Sequence, residues 1–125
     1  MTFRPELTDT SSEHMHQAFF VEWIRQNHKE VFVFAIPNGG GRSQADGMAL
    51  KMEGVVKGVS DLEIRWLDGS KRTLFLEMKK VKGGTISPDQ FKFMSMMTDA
   101  GFPCIVGFGF EDAKAKFLEF TNVPA

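Results

Sequence analysis

The feature that most constrains this chain is a charged hairpin in its middle, GVSDLEIRWLDGSKRTLFLEMKK. Two runs of alternating apolar and polar residues flank the turn signal Asp-Gly-Ser, a pattern typical of two antiparallel strands, here 61–67 and 72–80. Paired strands usually bury apolar side chains, yet Asp61, Glu77 and Lys79 interrupt these runs. The positions of these three charges therefore need an explanation.

The length of the turn decides which side chains meet across the hairpin. A three-residue loop, 68–70, matches the apolar faces of the two strands and places Asp61 directly across from Glu77. A two- or four-residue loop would send the two acids to opposite faces unless a bulge intervened. Lys79 lies two residues past Glu77 and projects from the same face. The three-residue loop thus predicts a cluster of two acids and one amine.

The chemistry of this cluster favours a divalent cation. Carboxylates directly across a strand pair lie about 5 Å apart, and they repel each other when both are ionised. Mg²⁺ prefers oxygen ligands and is held by one or two carboxylates with water and substrate phosphate. The backbone carbonyl of Met78 can add a ligand, and Lys79 can hold or polarise a water. Because a bound metal lowers the pKa of water and offsets charge on a leaving oxygen, the cluster suits phosphodiester hydrolysis.

An ordinary structural interpretation of the same residues stays open. An acid at the start of a strand is often a turn residue, and Glu and Lys two positions apart on an exposed strand are usually solvated. The run Leu-Phe-Leu-Glu-Met, 74–78, is too hydrophobic for a freely solvated edge strand. A Glu inside such a run is either paired or functional.

Length and composition set the outer limits. The 125 residues suffice for one compact domain, and 42% hydrophobic with 25% charged residues is typical of a folded soluble protein. A net charge of -1 does not exclude nucleic acid, because phosphate contact needs only a local basic patch. The single cysteine, Cys104, excludes an intrachain disulfide. A polar N-terminus and the lack of a long apolar run predict a cytoplasmic protein with no membrane partner.

The remaining pattern predicts helices around the hairpin. The expected order is α, β, α, β, β, α, β, α, which implies an α/β fold with a mixed sheet flanked by helices. Residues 1–10 are expected to form a loose arm, and 11–125 one domain. The expected bounds outside the hairpin are a helix over 11–29, a fully buried strand over 31–36, a helix over 44–57, a helix capped by Ser87 and ending at Gly101, a strand over 103–108 and a helix over 111–120. His14, His16 and His28 are expected at the surface.

An ordered set of motifs resembles a known family. The tetrapeptide Gly-Val-Ser-Asp ending at Asp61, followed after a hairpin by Glu-Met-Lys from Glu77, is similar to the PD-(D/E)XK nuclease signature, with Ser60 in place of its proline. Three further features narrow the resemblance to one family. They are an acid in the first helix, Glu13, the segment IPNGGGR, and the helix start Ser-Pro-Asp-Gln. Together they resemble the VRR-NUC domain, the virus-type replication and repair nuclease, over roughly residues 11–110.

The resemblance implies a fold, an activity and a set of residue roles. It implies a restriction-endonuclease-like fold, dependence on Mg²⁺ or Mn²⁺, and cleavage of DNA, often branched DNA such as a Holliday junction, by a homodimer. It assigns Asp61 and Glu77 as metal carboxylates and Lys79 as the catalytic lysine. Glu13 would complete the metal site, and Gln90 would be the polar catalytic residue of the following helix. An alternative for Gln90 is one half of a capping box at the start of its helix.

Four residues are candidates for contact with DNA. Asn38 and Arg42 lie in the glycine-rich loop, where the backbone can approach a phosphate and Arg42 can clamp it. Lys80 and Lys82 follow the Glu-Met-Lys strand and can supply positive surface. A plain flexible loop and solubilising lysines are the alternatives. The Met and Phe side chains of FKFMSMM exceed what one core face needs, which indicates either a dimer contact or a buried helix.

We interpret the sequence as a metal-dependent DNA endonuclease without a small-molecule cofactor. A non-catalytic DNA-binding or assembly protein with the same fold is the alternative. The joint presence of Glu13, Asp61, Glu77 and Lys79 favours the enzyme. RNA or linear duplex remains possible in place of branched DNA, because no motif here reads base edges.

Overall fold

A computed structural model describes residues 6–37 and 44–122, without the side chains of 44–46. The elements follow the order expected from the sequence. They are α1 (Glu13–Asn27), β1 (Val31–Ala35), α2 (Gln44–Met52), β2 (Leu62–Trp66), β3 (Thr73–Lys79), α3 (Pro88–Asp99), β4 (Cys104–Phe108) and α4 (Phe110–Thr121).

The four strands form one mixed sheet in the order β1-β2-β3-β4. β1 with β2 and β2 with β3 are antiparallel pairs, whereas β3 and β4 are parallel. A parallel pair needs a crossover, because the chain must return to the same end of the sheet. α3 supplies that crossover and packs on the sheet. The α/β fold with a mixed sheet flanked by helices is confirmed.

The hairpin of β2 and β3 has the register that the three-residue loop predicts. Leu62 pairs with Leu76 and Ile64 with Leu74. β2 begins at Leu62, so Asp61 lies one position before the regular ladder, and the same register places it across from Glu77. Both strands are slightly shorter than predicted, because the chain leaves the ladder on each side of the turn.

One face of the sheet carries the apolar core and is covered by α1 and α4. The alternation of β2 and β3 directs their apolar side chains to this face, where burial of each contributes about 1.5–3 kcal/mol. The helices contribute the other half of the core through residues spaced along one stripe. The fully buried side chains of this core include Phe20, Ile24, Leu62, Ile64, Leu74, Leu76, Met78 and Phe117.

α3 covers part of the opposite face. Its start is fixed by Ser87, whose hydroxyl accepts a hydrogen bond from the Gln90 amide, with Pro88 in the first turn. Phe93 is buried and packs edge-on against Phe75 of β3, with ring centroids 5.3 Å apart. The first turn of α3 therefore lies beside the charged end of β3, which places Gln90 near Glu77.

Two expected elements differ from the structure. The predicted helix over 44–57 ends at Met52, since Gly54 adopts a positive φ of 103° that an α-helix does not accommodate. The predicted fully buried strand over 31–36 is wrong: Phe32 is 55% exposed while its neighbours on the core face are buried. β1 is an edge strand whose second face is not covered by a helix in the described part of the chain.

The expectation that His16 lies at the surface is also wrong. Its side chain is 3% exposed. Nδ1 accepts a hydrogen bond of 2.9 Å from the Phe110 amide, so Nε2 carries the proton and donates to the Thr8 carbonyl oxygen at 3.1 Å. Helical spacing alone did not reveal this burial, because α4 and the segment before α1 supply the partners. Among the described helices, none has the length and apolarity needed to cross a bilayer.

Candidate active site

The charged cluster forms where the end of β3, the segment before β2 and the first turn of α3 meet. Asp61 comes from the segment before β2, Glu77 and Lys79 from β3, and Gln90 from α3. The antiparallel pairing aligns the first two, and the crossover brings the helix over the same face. The structure therefore brings together four of the residues that the sequence singled out.

Asp61 is held by the backbone of the neighbouring strand. Its Oδ2 accepts a hydrogen bond of 2.8 Å from the Met78 amide. The backbone groups of Phe75 and Lys79 point away from Asp61, to the β4 side of β3. The Phe75 amide donates to the Pro103 carbonyl, and the Lys79 carbonyl accepts from the Gly109 amide. Strand geometry alternates, so the Met78 carbonyl faces the Asp61 side. This direction agrees with the ligand role expected for that carbonyl.

Glu77 is a buried acid with one free oxygen. Its side chain is 2% exposed. Oε1 accepts a hydrogen bond of 2.7 Å from Gln90 Nε2, whereas Oε2 has no hydrogen-bond partner among the described residues. Burial, and next the charge of Asp61, raise the pKa of Glu77 to about 8, against the opposing effect of Lys79. A buried oxygen without a partner is costly and uncommon, so Glu77 Oε2 is a candidate position for a bound ligand.

Lys79 is buried beside the two acids. It is 8% exposed, and its Nζ donates a hydrogen bond of 2.8 Å to Gln90 Oε1. The distance from Nζ to Glu77 Oε1 is longer, 3.7 Å. The amide of Gln90 thus fixes the ammonium more closely than the carboxylate does. The remaining Nζ donors can serve a water or a phosphate oxygen.

Gln90 forms the capping box that was one of its two expected roles, and its side chain also reaches Glu77 and Lys79, while its catalytic role stays a prediction. The side-chain oxygen Oε1 of Gln90 accepts a hydrogen bond of 2.9 Å from the backbone amide of Ser87. The backbone amide of Gln90 donates to the Ser87 hydroxyl, and the two bonds together form a complete capping box. The same Oε1 accepts from Lys79, and Nε2 donates to Glu77. In this orientation of the Gln90 side-chain amide, the oxygen faces two donors and the nitrogen faces an acceptor. Gln90 therefore joins the start of α3 to the acids and the amine.

Glu13 lies at the start of α1 and is half-buried. Burial, and next the charge of Asp61, raise its pKa, while Lys79 lowers it. It thus belongs to the electrostatic environment of the cluster. Within the described residues, however, no three His, Cys, Asp or Glu side chains lie close enough together to hold one metal ion. Its role as a metal ligand stays a prediction.

The donor set fits a hard divalent cation. Asp61, just before β2, and Glu77, on β3, supply two carboxylates, and strand alternation directs the Met78 carbonyl to the Asp61 side. Glu77 Oε2 has no described hydrogen-bond partner, and burial and the charge of Asp61 raise the pKa of Glu77 more than Lys79 lowers it. Carboxylate and carbonyl oxygens suit Mg²⁺ or Mn²⁺ better than a soft metal.

The residues expected to contact DNA divide into two groups. Lys80 and Lys82 are exposed directly after β3, beside Lys79. Asn38 and Arg42 lie outside the described residues. Two exposed lysines thus lie directly after β3, and their contact with DNA stays a prediction.

Two polar residues near the site are buried, which the sequence analysis did not predict. Ser60 is fully buried, and its hydroxyl has no hydrogen-bond partner in the described ranges. Glu63 is 8% exposed and pairs with Arg65. The alternation of β2 placed Glu63 on the same face as Asp61, but it gave no sign of burial. For Ser60, the position expected for proline in the signature was the available signal.

The family of the chain follows from a direct comparison. The VRR-NUC domain model matches residues 4–109. The chain belongs to the VRR-NUC domain family. Membership in this family indicates a nuclease-type function in DNA processing. No curated protein matches the chain.

A solved structure supports the fold of this VRR-NUC chain. The protein described as "VRR_NUC domain protein" superposes with a TM-score of 0.69 at 20% sequence identity, and the match covers 88% of each chain. At that identity the likeness establishes a shared fold. The VRR-NUC assignment rests on the match of the domain model, and the superposition adds that the fold is shared.

Proposed function

We propose that this VRR-NUC chain is a DNA endonuclease that hydrolyses phosphodiester bonds with Mg²⁺ or Mn²⁺. The observation that carries the proposal is the buried carboxylate of Glu77, which faces Asp61 and keeps Oε2 without a described partner. Perturbed acids of this kind cluster at functional sites, because a purely structural acid in the same place costs stability. Lys79 completes the set on the same face.

Asp61, Glu77 and the Met78 carbonyl would hold the cation, with Glu13 completing the site. When bound, such a cation lowers the pKa of water and offsets charge on the leaving oxygen. The cation also favours the ionised form of Glu77, whose pKa is otherwise raised to about 8. Neutralisation of the repulsion with Asp61 would therefore couple metal binding to the stability of the site.

Lys79 would position the reacting groups. Its ammonium is fixed at 2.8 Å from Gln90 Oε1, which leaves Nζ donors for a water or a phosphate oxygen. A fixed donor stabilises developing charge without the reorganisation that a mobile side chain needs. Burial of Lys79 and Glu77 limits the access of bulk water and strengthens these interactions. Gln90 holds both side chains and acts as the polar residue of the site.

The substrate that we propose is DNA, with branched DNA such as a Holliday junction as the preferred form. Asp61, Glu77 and Lys79 address a phosphate, and Lys80 and Lys82 add exposed positive charge beside them. Groups of this kind contact the backbone and carry no base sequence. Selection would therefore depend on the shape of the DNA and on the spacing of two sites in a homodimer.

A homodimer is supported by the outer surface of α3. Phe91 is 66% exposed and Met96 is 52% exposed, whereas Phe93 is buried against the sheet. The helix is thus not fully buried in the single chain, which was the alternative for its excess of apolar residues. A second copy could cover these side chains, and we propose a cytoplasmic setting for the assembly.

A non-catalytic DNA-binding protein with this fold is the competing function. Binding of DNA without cleavage does not require a buried Glu77 whose pKa is raised, or a buried Lys79. Buried charges are costly to maintain unless they are paired or used. The burial of both groups at one site therefore favours catalysis.

Cleavage of a panel of nucleic acids tests the proposal. The panel contains a four-way junction, a flap, linear duplex, single-stranded DNA and an RNA duplex, each in Mg²⁺, Mn²⁺ or EDTA. We expect cleavage that requires the metal and is fastest on the junction. Binding without cleavage of any member would support the non-catalytic protein, and equal cleavage in EDTA would contradict the role of the cation.

A further inference from the structure

We propose that Gly58 is a positioning residue for the nuclease site, which it would serve by letting the backbone before Asp61 touch the first turn of α3. The proposal rests on the proposed function and deepens it, since it concerns how the site is held together. Gly58 itself supplies no group to a substrate. It acts through Gln90, the residue that holds Glu77 and Lys79.

The contact at Gly58 is between backbones. A Cβ at this position would lie 2.3 Å from the carbonyl carbon and oxygen of Asp89, and 2.7 Å from the amide nitrogen of Gln90. These atoms belong to the main chain of a helix and cannot turn aside as a flexible side chain can. Gly58 also has a φ of +85°, which side chains rarely accept. Any other residue must therefore push the helix start or the loop away.

The same contact connects the two parts of the site. Gly58 lies three residues before Asp61, on the segment that brings this acid to the cluster. Gln90, on the other side of the contact, reaches Glu77 at 2.7 Å and Lys79 at 2.8 Å. The contact between Gly58 and the start of α3 thus sets the distance between the Asp61 carboxylate and the Gln90 amide, and this amide holds Glu77.

A small displacement is enough to break this arrangement. A donor and an acceptor about 3.6 Å apart no longer form a hydrogen bond, so a shift of about 1 Å would release Gln90 from both partners. Misplacement of about 1 Å at an active site can lower the rate by roughly 10²-fold. The next anchor of α3 is Phe93 on Phe75, one turn further along. The first turn can therefore move while the rest of the helix stays packed.

The test compares two glycine substitutions that share the same backbone strain. Gly58→Ala introduces both the positive φ and the contact with α3. Gly69→Ala, in the hairpin turn, has a φ of +83° and meets no described atom within 4 Å. Ser87→Ala is a second variant, because it removes the hydroxyl that accepts from the Gln90 amide.

The first readout needs no catalysis. The side-chain amide signals of Gln90 in a ¹H–¹⁵N spectrum of the metal-free protein are assigned by their loss in Gln90→Ala. We expect them to move toward the position of a free glutamine in Gly58→Ala, to move part of the way in Ser87→Ala, and to stay in place in Gly69→Ala. Unmoved Gln90 signals in a folded Gly58→Ala variant would overturn the proposal, whether or not the chain proves to be a nuclease.

The second readout is the cleavage rate. We expect Gly58→Ala to lower kcat by roughly 10²-fold with little change in KM, and to shift the pH profile because Glu77 and Lys79 lose a shared partner. Gly69→Ala should keep the wild-type profile. A wild-type kcat in Gly58→Ala would overturn the proposal. Failure of Gly58→Ala to fold while Gly69→Ala folds would also overturn it, because the contact would then support the whole fold and not the site. Inactivity of the wild-type protein would count against the proposed function alone, and the spectra would still decide the role of Gly58.

Discussion

Gln90 Nε2 donates a hydrogen bond of 2.7 Å to Glu77 Oε1, while Oε2 of the same carboxylate has no partner among the described residues. One oxygen of the acid is thus fixed by Gln90, whereas the carboxyl can pair with Asp61 only when a proton lies between the two acids, which, after burial and the charge of Asp61, further raises the pKa of Glu77. Because the side chain is almost fully buried, that second oxygen cannot rely on bulk water. We infer that the site is built to receive a cation.

Removal of either carboxylate should abolish catalysis without unfolding the protein. We expect Asp61→Asn and Glu77→Gln to lower Mg²⁺-dependent cleavage by roughly 10³-fold or more, since the residues of such a site act as a unit. Thermal unfolding should show an unchanged or higher Tm, because the repulsion between the acids is relieved. Asp68→Asn is the matched control: the acid is exposed in the turn of the same hairpin. Full cleavage activity in Glu77→Gln would contradict the assignment.

The pH dependence of stability should report the pKa of Glu77. A folded-state pKa of about 8 against an ordinary 4.5 means that the native state binds more protons than the unfolded chain between these values. The free energy of unfolding should therefore fall as the pH rises from about 5 to 8, with a slope of at most about 1.4 kcal/mol per pH unit. The raised pKa of Glu13 acts in the same direction.

Urea denaturation in EDTA at several pH values measures this slope. Glu77→Gln should flatten it, and addition of Mg²⁺ should restore stability at pH 8, because the cation binds the ionised form of the native site. A wild-type slope equal to that of Glu77→Gln over this interval would show that Glu77 does not hold its proton in the folded, metal-free protein. It would then contradict the account of its pKa.

The capping box of Gln90 and its hydrogen bond to Glu77 can be separated by substitution. Gln90→Glu keeps the capping-box acceptor and an oxygen for Lys79, but it loses the donor to Glu77 and adds a third acid. We expect little change in Tm. The cleavage rate should fall at least about 10-fold, since this is the smallest effect expected from the loss of a hydrogen bond to a charged group. Gln90→Ala should lose cleavage and also about 1 kcal/mol of stability through the cap. Equal cleavage by Gln90→Glu and wild type would confine Gln90 to the helix start.

The buried and the exposed lysines should behave differently. Lys79→Met keeps the apolar stem and removes the ammonium, so we expect cleavage to fall by roughly 10²-fold or more. The pKa of Glu77 should rise further, because Lys79 lowers it. Lys80→Met removes an exposed neighbour and should weaken DNA binding in a salt-dependent manner while leaving kcat close to wild type. Kinetics at several salt concentrations distinguish the two, and a similar kcat for both variants would contradict the separate role of Lys79.

Much of the fold was predictable because local patterns and tertiary packing agree. The apolar faces of β2 and β3 have a period of two, and the Asp-Gly-Ser turn selects the register that aligns Asp61 with Glu77. The Ser-Pro-Asp-Gln start of α3 was equally clear, since the cap is a local interaction. β1 was harder, because a short apolar run does not show whether the sheet continues beyond it. Its position at the edge of the sheet leaves Phe32 exposed.

The site was predictable in its charges and not in its connections. Spacing along one strand fixed that Glu77 and Lys79 share a face, but the bonds from Gln90 depend on how α3 crosses the sheet. The burial of His16 likewise depends on Phe110, which is far away in sequence. Contacts between distant segments leave no periodic signal, so the capping box gave no indication that Gln90 also reaches the acids.

The central claim is that Asp61 and Glu77 share a divalent cation, and anomalous diffraction from crystals soaked in Mn²⁺ tests it most directly. We expect one strong anomalous peak in contact with Glu77 Oε2 and the Asp61 carboxylate, and its loss in Glu77→Gln crystals of the same form. Absence of that peak from intact wild-type crystals in millimolar Mn²⁺, or a peak bound only elsewhere, would contradict the account.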